Sequence, residues 1–80
     1  EEFFGAMRLS DVCNPDGAPL PAGHYEVKVR SAAAPVGCTF DGKTLVRFDE
    51  PARAPAPGQS AVFYSGNAVV GGGFIAEALD

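Results

Sequence analysis

A small antiparallel β-barrel of six strands is the all-β fold this sequence predicts, and three observations predict it. Apolar and polar residues alternate at period two. Turn residues interrupt the alternation at steady intervals. No stretch shows the apolar spacing of an amphipathic helix. The 80 residues fit one domain, residues 1–80. Val, Ile, Leu and Phe make up 19 of the 80, enough for a core but not a large one. A closed sheet also hides the strand edges that so small a core cannot cover.

The elements follow in order. Residues 3–9 carry Phe3, Phe4, Met7 and Leu9 and read as a first strand. Residues 13–23 hold Pro15, Pro19 and Pro21, which rules out a long helix or a central strand there. Residues 24–30 alternate cleanly, with Tyr25, Val27 and Val29 on one face and Glu26, Lys28 and Arg30 on the other. Val36, Cys38 and Phe40 share a face of the third strand. Asp41-Gly42 marks a tight hairpin into a fourth strand over residues 44–49. Residues 50–58 are turn-rich, and residues 59–64 form a fifth strand. Ser65-Gly66-Asn67 turns the chain into a last strand over residues 68–79, which Gly71, Gly72 and Gly73 are expected to break or bend.

Ten acidic and six basic side chains give a net charge of −4. That argues against a free-standing nucleic-acid binder, because phosphate contacts dominate such affinity. Four of the acids (Glu1, Glu2, Glu77 and Asp80) lie at the two ends, so a local basic patch remains open. No apolar run approaches the ~20 residues of a membrane span, and no signal peptide is visible. The expected location is the cytoplasm, with no membrane partner. Two cysteines are too few for a disulfide scaffold, so both are expected to be free. The chain opens on Glu1 rather than Met, as a fragment of a larger protein would.

Candidate chemistry is sparse. The triple glycine lacks the spacing and the following Lys of a phosphate loop. Cys13, His24 and Cys38 lie 11 and 14 residues apart with no fourth ligand, so no metal site is expected. Cys38 alternates with Val36 and Phe40, the habit of an inert buried thiol. His24 opens a strand beside a loop and reads as a solvated residue. Asp49 and Glu50 are strand neighbours that point apart and cannot share a proton. No catalytic set emerges. Lys28 and Arg30 share a polar strand face about 7 Å apart, a spacing that suits successive phosphates and an ordinary solvated face alike.

Phe48-Asp49-Glu50-Pro51-Ala52-Arg53-Ala54, Pro57-Gly58-Gln59, Ala61-Val62-Phe63-Tyr64, Ser65-Gly66 and Gly71-Gly72-Gly73 with Ile75 form one long ordered run. It resembles the C-terminal end of the bacterial tRNA-specific 2-thiouridylases. Val27-Lys28-Val29-Arg30 is similar to a Lys-x-Arg strand of that family, and the likeness covers about the last two-thirds of the chain. The resemblance implies a C-terminal barrel similar to domain 2 of elongation factor Tu. It also implies an enzyme whose separate ATP-dependent domain installs sulfur at C2 of the wobble uridine. The barrel would then hold no cofactor, ATP belonging to the parent enzyme. Its partners would be tRNA, through an auxiliary contact by Lys28 and Arg30, and the catalytic and central domains of the same protein. A stand-alone barrel that binds a protein or a small ligand is the competing reading.

Overall fold

The computed structural model describes residues 3–29, 34–53 and 55–80. Its six strands are β1 (Phe3–Cys13), β2 (Gly23–Lys28), β3 (Val36–Phe40), β4 (Leu45–Arg53), β5 (Ser60–Ser65) and β6 (Ala68–Leu79). They close into a barrel in the order β1-β4-β3-β2-β5-β6, every pairing antiparallel. This is the predicted fold class, and the strand positions agree to within a few residues at most ends.

Period-two alternation fills the interior. Met7 and Leu9 of β1, Val27 of β2, Cys38 and Phe40 of β3, Val46 and Phe48 of β4, Phe63 of β5 and Ile75 of β6 form one buried cluster. Phe63 sits at its centre, edge-on to Tyr25 at 5.7 Å and tilted against Phe40 at 5.4 Å. Leu20, from the loop between β1 and β2, joins the same cluster and is 4 % exposed.

The turns are held by the residues that mark them in the sequence. Asn14 Oδ1 accepts hydrogen bonds from the N–H groups of Asp16 and Ala18, at 2.9 and 2.8 Å. Asp41 Oδ1 accepts from the N–H groups of Lys43, Thr44 and Leu45, and Gly42 takes a φ of 86° that a side chain rarely adopts. Burial raises the Asp41 carboxyl a little. The three N–H donors and the Lys43 charge outweigh that and leave it below its ordinary 3.8.

Three features differ from expectation, besides β2 ending at Lys28 instead of running on to residue 30. β1 continues to Cys13 instead of ending near Leu9. Its pairing with β6 shifts register between Ser10 and Cys13, where Asp11 holds a φ of 55°. A bulge thus absorbs the change of direction within one strand. β4 runs through Pro51 to Arg53. Its matched register with β3 spans Val46 to Phe48 and with β1 resumes at Ala52, so Pro51 falls where no ladder donor is required. The third difference concerns Gly71, Gly72 and Gly73. They do not break β6, which is continuous from Ala68 to Leu79. The register does shift beside them, from Phe63–Gly71 to Tyr64–Val69 on β5 and from Ser10–Phe74 to Cys13–Gly72 on β1, as a bulge would. A Cβ at these positions would lie 2.9 Å from the Cys13 carbonyl, 2.9 Å from the Ala61 carbonyl and 2.8 Å from the Ser10 carbonyl. Glycine is there because the backbones of β1 and β5 come too close for anything larger.

Candidate functional site

The polar face of β2 is the surface that the alternation singles out. Val27 is fully buried, while His24 and Glu26 are exposed and Lys28 is half-buried on the outer side. Pairing sets their neighbours. His24 lies opposite Thr39 of β3, Glu26 lies between Gly37 of β3 and Tyr64 of β5, and Lys28 lies opposite Val62 of β5. Lys28 is therefore an outward cation on a closed sheet. Arg30, its expected companion, lies outside the described residues.

His24 is exposed, as expected, but it is not a lone solvated residue. Its Nε2 lies 2.7 Å from Asp49 Oδ2 of β4. The bond crosses β3 above Gly37, where a Cβ would run into the Asp49 carboxylate. Glycine at this place on β3 is what lets a β2 side chain meet a β4 side chain. No residue spacing announces the pair, because it depends on the registers of two strand pairings. Both side chains are about half exposed, at 60 % and 48 %.

Among the described residues no group of three His, Cys, Asp or Glu side chains could hold a metal. Cys13, His24 and Cys38 do not converge on one point. Cys38 faces the core at 0 % exposure. Burial, and secondly the negative charge of Asp49, push its thiol up to about 11, against a smaller opposing hydrogen bond from the Tyr25 backbone. A thiol held protonated is a poor nucleophile. Both cysteines are free. Arg8 pairs with Glu77 across β1 and β6, which leaves that cation partly neutralised. The arrangement offers a cation and polar side chains on an outer face, and among the described residues no nucleophile is paired with a base.

A second outer surface is not legible as a site in the sequence. Val62 and Tyr64 of β5, with Val69 and Phe74 of β6, surround Gly72, and Val69 and Phe74 are 53 % and 49 % exposed. Lys28 borders this apolar surface through its pairing with Val62.

Comparison with known proteins fits this barrel. The family model described as aminomethyltransferase beta-barrel domain matches residues 10–75. The tRNA-specific 2-thiouridylase MnmA of Zymomonas mobilis is 58 % identical over 52 residues, covering 65 % of this chain and 14 % of the relative. The enzyme of the same name from Pectobacterium atrosepticum is 49 % identical over 69 residues, covering 80 % and 19 %. That from Chloroflexus aurantiacus is 46 % identical over 73 residues, covering 84 % and 20 %. The chain thus spans a fifth or less of the length of these relatives. A six-stranded closed barrel and a match over most of its length lead to one assignment: the chain belongs to the aminomethyltransferase beta-barrel domain family, in the form shared by the tRNA-specific 2-thiouridylases.

Proposed function

We propose that this barrel is an accessory tRNA-binding module of a tRNA-specific 2-thiouridylase, and that its contact is carried by Lys28, at the outer end of β2, together with Arg30 two residues further along the chain. The observation that supports this most is Lys28 itself, an outward cation on a rigid strand of a chain whose relatives are named for tRNA. A strand face suits the task because its side chains stand at fixed intervals that a phosphate backbone can track. The barrel contributes binding and no chemistry. Installation of sulfur at C2 of the wobble uridine, and the ATP that drives it, belong to other domains of the whole cytoplasmic enzyme, and those domains are the barrel's partners in the same chain.

The contact is auxiliary. A body with net charge −4 repels phosphate at long range, so two cations add to a binding site formed mainly elsewhere. In a whole thiouridylase carrying this barrel, Lys28→Ala with Arg30→Ala should raise the apparent KM for tRNA several-fold and leave kcat unchanged. Uniform binding lost from ground state and transition state alike has this signature. An unchanged KM would show that the face is only solvated.

A further inference from the structure

We infer that the outer face of β5 and β6 is a stacking shelf for an unpaired nucleobase of the RNA whose backbone Lys28 meets; the inference rests on the RNA reading above and extends it. The shelf is Val62, Tyr64, Val69 and Phe74 around Gly72. Pairing fixes the layout. Lys28, Val62 and Gly72 form one row across β2, β5 and β6. Tyr64 and Val69 form a paired rung on one side of that row, and Phe74, opposite Ser60, lies on the other.

Three features point to a flat aromatic ligand. Phe74 is 49 % exposed on the outer side of β6 and belongs neither to the buried cluster nor to the residues packed against it, so its ring serves no core. Gly72 places no side chain in the middle of the patch, and none can be placed there, since a Cβ would meet the Ala61 carbonyl at 2.9 Å. The apolar surface is therefore flat, with rings at two of its edges. Lys28 supplies a charge at the border, and no ion-pair partner for it is found among the described residues. Cross-strand spacing and rise put its Cα about 12 Å from that of Phe74. The lysine stem spans much of that distance, so one nucleotide can rest its base on the shelf and its phosphate at the ammonium. Base stacking on an exposed ring tolerates any sequence, which suits an auxiliary contact.

The test uses the 80-residue chain, a closed barrel with its own core, isotope-labelled and in low salt. A short single-stranded oligouridylate is titrated against it and followed by amide chemical shifts, with base-free polyphosphate as the comparison. The shelf predicts shifts at residues 62, 64, 69, 72 and 74 with the oligonucleotide and not with polyphosphate, while both ligands shift residue 28. Phe74→Ala should weaken oligonucleotide binding about five-fold or more, the lower end for a lost stacked base, with polyphosphate binding unchanged. Phe74→Leu keeps apolar bulk without the ring and should fail almost as badly. Shifts confined to residue 28 and its surroundings would overturn the shelf and leave the RNA reading standing. No shifts with either ligand would overturn the shelf, and the RNA reading would then be decided by the KM of the whole enzyme. Undiminished oligonucleotide binding by Phe74→Leu would also overturn the shelf. So would shelf shifts that track protein concentration instead of RNA, which would assign the patch to a second copy of this chain.

Discussion

Cys38 is a residue whose place follows from alternation alone and whose energetics do not. It alternates with Val36 and Phe40, which puts it inside, and it is inside. Its effect on stability requires the packing. The thiol ionises near 9.0 in the unfolded chain and near 11 in the folded one. Below pH 9 both forms are protonated and the barrel keeps its full stability. Between pH 9 and 11 only the unfolded chain loses the proton, so ionisation draws the equilibrium toward unfolding. The loss approaches roughly 3 kcal/mol once pH passes the folded value. Urea unfolding of the parent and of Cys38→Ala across pH 8–11 checks this. The difference between them should narrow steadily as pH rises, and a constant difference would refute it. His24 marks the opposite limit. The sequence shows an exposed histidine at a strand start, but the 2.7 Å bond to Asp49 exists only because Gly37 lies between them in the assembled sheet.

Among elements, β6 departs most from what its composition suggests. Three consecutive glycines usually signal a weak or bent strand. Here they mark tight packing of backbones, and the strand stays whole. Gly73→Ala would push a methyl against the Ser10 carbonyl, at 2.8 Å, and against Val12. Backbone atoms cannot yield cheaply, so the substitution should cost about 1–3 kcal/mol. Gly5→Ala is the control. Its Cβ would meet Asp80 at an ordinary 3.5 Å, and the change should stay within about 0.5 kcal/mol. Denaturation midpoints of the two variants decide the point, and equal costs would rule out close backbone approach as the reason for glycine. The other strands are legible because their inward residues are few and regularly spaced. The extensions of β1 and β4 are not, because a bulge at Asp11 and the unladdered place of Pro51 arise from pairing with strands distant in sequence.

On the scale of the molecule, charge sets the strength of any RNA contact and position sets its place. Net charge is readable at once, and it argues against nucleic acid. The long motif run points the other way. The barrel reconciles them, because closure puts Lys28 on a rigid outer face while the core takes the apolar residues that alternate with it. The most direct measurement is the salt dependence of tRNA affinity in a whole thiouridylase carrying this barrel, for the parent and for Lys28→Ala with Arg30→Ala. Each phosphate contact contributes close to one unit to the slope of log affinity against log salt. Two phosphate contacts, one from Lys28 and one from Arg30, require a slope shallower by about two units in the double variant, with weaker binding at low salt. Coincident lines for the two proteins, in slope and in affinity, would contradict an RNA contact there.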